Sequence, residues 1–315
     1  VAPPPLPARP AAAPACADWP FDAAEAQRRQ QATGLQPELK IELPQGLSLE
    51  MALIPAGQFV MGATDGAGEA DEYPPSVIRV ERPFYMGKFE ITNAQYALFD
   101  PSHDSAYISV LNKDQNVRGV AANHPRQPAI RINWNQAAGF CRWLSQETGG
   151  KFDLPTEAQW EYACRAGTAT PLYFGDCTTD FSQLANLADQ RIHNLCRGDS
   201  PRWIPSVESV NDGSVVSDQV GKCAPNAFGL CDMHGNVAEW TRSAYRPYPY
   251  NPADGRDNPA TAGKKVVRGG SWYDRPHRAR SSFRLAYEPW QRVFNVGFRV
   301  VMEAGAANKL AAGRP

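Results

Sequence analysis

Ser271, Asp274, His277 and Arg278 share one short stretch, SWYDRPHRARSSFR (Ser271–Arg284). An aspartate three residues before a histidine can orient the imidazole as a general base, or the two can bind a cation together. The same spacing equally suits an aspartate that caps a turn, with the basic residues in surface ion pairs. The remaining histidines, at 103, 124, 193 and 234, form no HxH or HExxH pattern, and His234 reads as a packed turn residue. Seven cysteines are many for a reduced compartment. Cys177 and Cys196 flank a polar loop, and Cys223 and Cys231 bracket APNAFGL, so both pairs read as local disulfides in an oxidising compartment. Cys141 and Cys164 read instead as buried thiols in helices. The aromatic run AYRPYPYNP (Ala244–Pro252) suits stacking on sugar or peptide, or a surface loop with packed tyrosines.

The elements that must position these groups are short. Asp22 can cap a helix that ends near Gly34, and Thr92 can cap another over NAQYALFD. Residues 136–146 place Ala137, Phe140, Cys141 and Leu144 on one helical face. Thr156 with Gln159 is a capping box for a helix that buries Trp160, Ala163 and Cys164 and stops at Gly167. MALIPAGQFVMG (Met51–Gly62) reads as short strands, and Ser76–Ile91 alternates as a strand pair would. Asn211-Asp212-Gly213 is a tight-turn signal. Stretches 101–128, 168–222 and 242–264 lack periodicity, and such lengths are uncommon in a compact domain unless functional or tied down.

Composition narrows the function classes. The 315 residues are 43% hydrophobic, enough for a large core, and 32 basic residues balance 33 acidic ones. No basic stripe suggests nucleic acid, no glycine loop suggests phosphate binding, and no segment nears the roughly 18 apolar residues of a membrane span. The Pro/Ala-rich opening and a helix form a head over residues 1–39, followed by one domain over 40–303 and a polar tail over 304–315. That opening, without Met, reads as a mature terminus after signal-peptide removal, a segment following a linker, or an arbitrary boundary.

Six ordered blocks carry a family resemblance: IPAGQFVMG (Ile54–Gly62), FEITNAQYALF (Phe89–Phe99), LPTEAQWEYACRAG (Leu154–Gly167), GLCDMHGNVAEW (Gly229–Trp240), VVRGGSW (Val266–Trp272) and NVGFRVV (Asn295–Val301). Together they resemble the formylglycine-generating enzymes, or sulfatase-modifying factors. The resemblance implies a single loop-rich α+β domain related to C-type lectins, low in regular secondary structure and stabilised by calcium. Its calcium ligands fall here on Asn186, Leu187, Asp212 and Ser214 for one ion, and on Asp232, Gly235, Val237 and Glu239 for a second. Such sets offer the hard oxygens calcium takes.

The family oxidises a sulfatase cysteine to formylglycine with O2, through two copper-binding cysteines just after the GGS element. Those positions fall on Asp274 and near Ala279, neither of which is a soft thiolate, so no copper is expected. Ala238 replaces a family tryptophan, while Ser271 matches an active-site serine. A histidine triad like that of the ergothioneine-pathway sulfoxide synthases would need a further domain. The expectation is a non-catalytic or diverged relative, periplasmic or secreted. It would serve as a binding or accessory subunit of a larger envelope complex, with a protein, peptide or glycan partner. The alternative is a periplasmic tailoring oxidoreductase resembling the pyoverdine-maturation proteins, with Ser271, Asp274 and His277 as its pocket.

Overall fold

The computed structural model describes residues 13–111, 113–195 and 204–305. Four of the described α-helices start at a side-chain cap. Asp22 accepts from Glu25 N to start α1 (Ala23–Ala32), and Thr92 and Gln95 exchange bonds across the first turn of α2 (Asn93–Ala97). In α3 (Trp134–Thr148) Asn133 and Gln136 make the same reciprocal pair, and Gly149, at φ +76°, ends the helix. Ala137, Phe140, Cys141 and Leu144 lie buried along its inner face. Thr156 and Gln159 open α4 (Glu157–Arg165), and Ala166, already left-handed, closes it one residue before Gly167.

Unlike α3, α4 is buried all round: Glu157, Glu161 and Arg165 are as enclosed as Trp160, Ala163 and Cys164. The apolar periodicity marks only half of that environment. Helix α5 (Pro276–Ala279) is a single turn.

A five-stranded antiparallel sheet runs Glu38–Glu42, Ser48–Ile54, Phe84–Gly87, Val301–Glu303, Phe152–Asp153. A four-stranded sheet runs Leu285–Tyr287, Lys265–Arg268, Ala238–Ala244, Val296–Gly297, with its last pair parallel. Tyr85, Tyr96, Phe140, Trp240, Phe298 and Met302 fill the larger core cluster, which α3 covers. The expected pairing inside Ser76–Ile91 is not formed. Ser76–Val80 pairs with Gly57–Met61, whereas Phe84–Gly87 sits between Ser48–Ile54 and Val301–Glu303. Alternation specifies a strand but not its partner.

The long aperiodic stretches stay irregular among the described residues, apart from two-residue strands at Tyr107–Ile108 and Val120–Ala121 and a 3-10 turn at Gln190–Leu195. Among the described residues no disulfide ties them down. Cys223 and Cys231 are both free, buried thiols, so the expected staple around APNAFGL is not formed. Cys177 is also free, and Cys196 lies outside the described residues. Cys141 and Cys164 are buried as expected, and burial pushes the Cys164 thiol up to about 12. Tyr248 and Tyr250 pack into the core beneath Arg284 and Arg256, which favours the packed reading of that aromatic run. No described helix is long and apolar enough to cross a membrane.

Candidate functional site

The GGS loop and the Asp232–Glu239 turn form one unit. Gly235 N donates to Gly269 O at 3.0 Å, and Trp272 N to Asn236 O at 3.0 Å. Ser271 is fully buried below this junction. Its hydroxyl donates to Asp274 Oδ2 at 2.8 Å and accepts from Asn295 Nδ2 at 2.7 Å. Asp274 Oδ1 pairs with Arg278 Nε at 3.0 Å, and its carbonyl accepts from Ala188 N. Burial raises the Asp274 carboxyl above its ordinary range, against the pull of Ser271 and Arg278.

His277 does not join this group: it lies exposed, with Nε2 3.1 Å from Glu69 Oε1. The expected Ser271, Asp274, His277 pocket therefore resolves into two parts. A buried Ser271–Asp274–Asn295 knot is one, and a surface His277–Glu69 pair is the other. Asp274 acts as a turn cap rather than as the partner of an imidazole. Asp274→Ala should cost about 1–3 kcal/mol, because the Ser271 hydroxyl loses its buried acceptor. His277→Ala should stay within about 0.5 kcal/mol of the parent. Urea midpoints check both, and an equal loss from His277→Ala would restore a coupled Asp–His pair.

His234 is fully buried and neutral. Its Nδ1 faces Ala279 O at 2.7 Å and its Nε2 accepts from Tyr173 N at 3.0 Å, so both ring nitrogens are spent. Burial lowers it to about 3, which fits the packed turn residue the sequence suggested.

The turn from Asp232 to Glu239 gathers acid. Asp232 and Asn236 both adopt left-handed backbone conformations, which curl the segment back on itself. Asp232 Oδ2 accepts from Gly221 N at 2.7 Å. Glu239 is wholly engaged: Arg299 reaches both its oxygens, at 2.6 and 2.7 Å, and Trp160 Nε1 donates to Oε2 at 2.8 Å. A third carboxylate, Glu90, also lies here, 1% exposed. Its Oε1 accepts from Asn236 Nδ2 at 3.1 Å, while its Oε2 has no hydrogen-bond partner. Burial, and then Asp232, push Glu90 well above the ordinary carboxylate range against Arg299. Burial likewise pushes Asp232 up to about 6, with the Gly221 N–H and Arg299 opposing it. Glu90 and Arg299 sit in quoted blocks, yet sequence reasoning did not select them. The glutamate in FEIT reads as a strand residue until the fold buries it.

The first expected calcium set also assembles. Asp212 Oδ2 accepts from Leu187 N at 3.0 Å and Oδ1 from Ser214 N at 2.7 Å. Asn186 Nδ2 donates to Val216 O at 3.0 Å, and Asn186 forms a parallel bridge with Gly235, joining the two sets. Burial pushes Asp212 up to about 6, with Asp189 adding to the shift. This set brings its own cation: Lys222 Nζ lies 2.8 Å from Ser214 Oγ and 2.7 Å from Asp218.

A calcium ion fits the Asp232 turn better than this set, because two enclosed carboxylates there have oxygens to spare and no cation of their own. Among the described residues no three His, Cys, Asp or Glu side chains converge as a metal site. An ion at the turn would therefore draw on backbone carbonyls such as those of Gly235 and Val237, as calcium commonly does.

Buried ion pairs brace the GGS loop from outside. Glu161 Oε1 holds Arg165 at 2.8 Å and accepts from Gly62 N at 2.9 Å, while Oε2 meets Arg268. Glu157 pairs with Arg284 at 2.6 Å, and Glu72 binds Arg280 through two bonds of 2.6 and 2.7 Å. The backbone carrying Asp274 and Ala279 is thus pinned before and after.

This fold, a five-stranded and a four-stranded sheet with Trp160, Trp240 and Trp272 buried beside the Asp232–Glu239 turn, is that of the formylglycine-generating enzymes. PvdO from Pseudomonas aeruginosa superposes at a TM-score of 0.68 with 27% identity, over 85% of this chain and 99% of that one. Treponema denticola variable protein 1 shares the fold at a TM-score of 0.64 and 20% identity, over 85% and 100% of the two chains. The chain belongs to the sulfatase-modifying factor enzyme 1-like domain family, whose model matches residues 39–304. Among curated relatives it is 29% identical to the formylglycine-generating enzyme of Streptomyces coelicolor, over 82% of this chain and 91% of that protein. It is 27% identical to the inactive C-alpha-formylglycine-generating enzyme 2 of Mus musculus, over 84% and 90% of the two.

Proposed function

We propose that this chain is a non-catalytic member of its family, a calcium-bound extracytoplasmic protein that binds a protein or peptide partner as an accessory subunit. One observation carries the reading. By the resemblance the copper cysteines would fall on Asp274 and near Ala279, and both of these residues are committed to packing. Asp274 is spent on Ser271 and Arg278, and Ala279 lies wholly buried against Gly270. A carboxylate and a methyl group cannot replace the paired soft sulfur donors that select Cu(I). The likeness to a mouse relative described as inactive supports the same reading. So does the Asp232 turn, whose enclosed carboxylates suit a calcium ion at extracellular concentrations.

Purified protein incubated with O2, copper and a thiol-bearing sulfatase peptide should yield no aldehyde. Elemental analysis should find calcium and no stoichiometric copper. Aldehyde product, or one copper per chain, overturns the proposal. The likeness to PvdO favours a second reading, a periplasmic tailoring oxidoreductase working at the Ser271–Asp274 knot. Turnover abolished by Ser271→Ala in a protein that still folds would support it.

A further inference from the structure

Four of the sheet edges are blunt. Phe152–Asp153, Val296–Gly297 and Leu285–Tyr287 are two or three residues long, and Glu38–Glu42 carries three charged side chains in five. Short or charged edges resist pairing with another chain. Ser76–Val80 is different. It pairs with Gly57–Met61 alone, so alternate residues point their N–H and C=O groups away from that partner, and these bond to no other described backbone. The strand has no proline and no bulge. Its inward residues Ile78 and Val80 are apolar, and outward Val77 is 40% exposed. The other strand of the pair offers no such edge, since Phe59, Val60 and Met61 are enclosed.

The open edge lines a cleft. Seven consecutive residues, Ile78 to Phe84, form one wall of a space of about 540 Å³. Leu35, Ala158, Tyr250 and Pro252 bring apolar surface to the rest of it. Asp257 also lies there, spent on the hydroxyls of Ser243 and Tyr250. Glu303 sits beside Phe84, at the far end from Val77. Along the strand wall itself, Arg79, Glu81 and Arg82 all stand exposed and leave one positive charge in excess.

We propose that this edge is where the protein partner docks, laying one extended segment beside Ser76–Val80 as a further strand. Main-chain hydrogen bonds supply the affinity in this mode of recognition, and alternate side chains supply the selectivity. Ile78 and Val80 favour apolar side chains on the face of the segment that enters the cleft. On the outer face the residue opposite Arg79 is acidic, because opposite charges directly across a strand pair stabilise it. The proposal rests on the partner-binding reading above and gives that partner its binding mode.

The probe is the peptide Val-Glu-Val-Glu-Val, capped at both ends and fluorescently labelled, which reads the same in either strand direction. Titrated with the full chain, it should bind by fluorescence anisotropy, and hydrogen exchange at the outward amides of Ser76–Val80 should slow in the complex. Arg79→Glu should weaken this peptide at least about fivefold and strengthen its counterpart with lysine for glutamate. No binding at about 1 mM peptide overturns the proposal. So does binding that leaves exchange along Ser76–Val80 unchanged, or an Arg79→Glu chain that binds both peptides as the parent does. Outward amides already slow in the free chain would mean that the edge is covered. If dilution frees them the cover is a second copy, and otherwise it is the chain's own residues; either result overturns a partner strand. The non-catalytic reading stands or falls separately, on copper and aldehyde.

Discussion

Glu161→Gln should destabilise the folded chain by about 3–5 kcal/mol, the cost of removing one charge from a buried, multiply bonded pair. Arg165 and Arg268 are 2% and 0% exposed at their side chains, and both rely on this carboxylate. The amide would keep one acceptor for Gly62 N, yet it would turn an N–H group toward a guanidinium. Denaturant midpoints and a melting temperature lowered by on the order of 10 °C would register the loss. A change below about 1 kcal/mol would mean that Glu157 takes over both arginines. Burial raises Glu157, but Arg284 and Arg268 outweigh it and hold this carboxyl below its ordinary range. A depressed carboxylate stabilises above its unfolded value near 4.3, so the network's contribution should be lost as pH falls through and below about 4.

Gly235→Ala should cost about 3 kcal/mol or more. Gly235 has φ +85°, and a Cβ there would run into the Asn186 carbonyl oxygen, which is backbone and cannot swing away. That oxygen already accepts from Asn236 N at 2.8 Å, so relieving the clash breaks the bridge between the two polar loops. Gly34→Ala is the control: φ is +69° but nothing lies within 4 Å, so its cost should be only about 1 kcal/mol of backbone strain. Comparable urea midpoints for the two variants would show that the close approach at Gly235 is tolerated.

Much of the framework was legible in the residues because local rules govern it. Capping at Asp22, Thr92 and Thr156 and the buried face of α3 follow from side chains acting on neighbouring backbone. The pairing of Ser76–Val80 was not legible, since register and partner depend on distant strands. Seven cysteines suggested staples, yet in the structure a cysteine pair near in sequence is two separate thiols packed as small apolar groups. At the site, the residues from Asp232 to Glu239 marked where the acid lies. Spacing did not reveal that Arg299 takes Glu239 or that Glu90 arrives from the irregular segment after Phe84–Gly87. Those are tertiary facts, invisible to spacing. Of the two readings open for the Asp274–His277 spacing, the turn cap with the basic residues in surface ion pairs is the one formed, because Arg278, one residue on from His277, takes the aspartate.

The double anchoring of the GGS loop has a consequence for how such a protein can change. Arg268 and Arg280 to Arg284 are clamped by Glu161, Glu72 and Glu157, whereas the side chains of His277 and Arg278 stand in solvent. A scaffold built this way can shed its reactive atoms without losing its outline. The outward positions between the clamps are then free to acquire new recognition by substitution, with little penalty to folding. The stretch between the clamps becomes a writable surface.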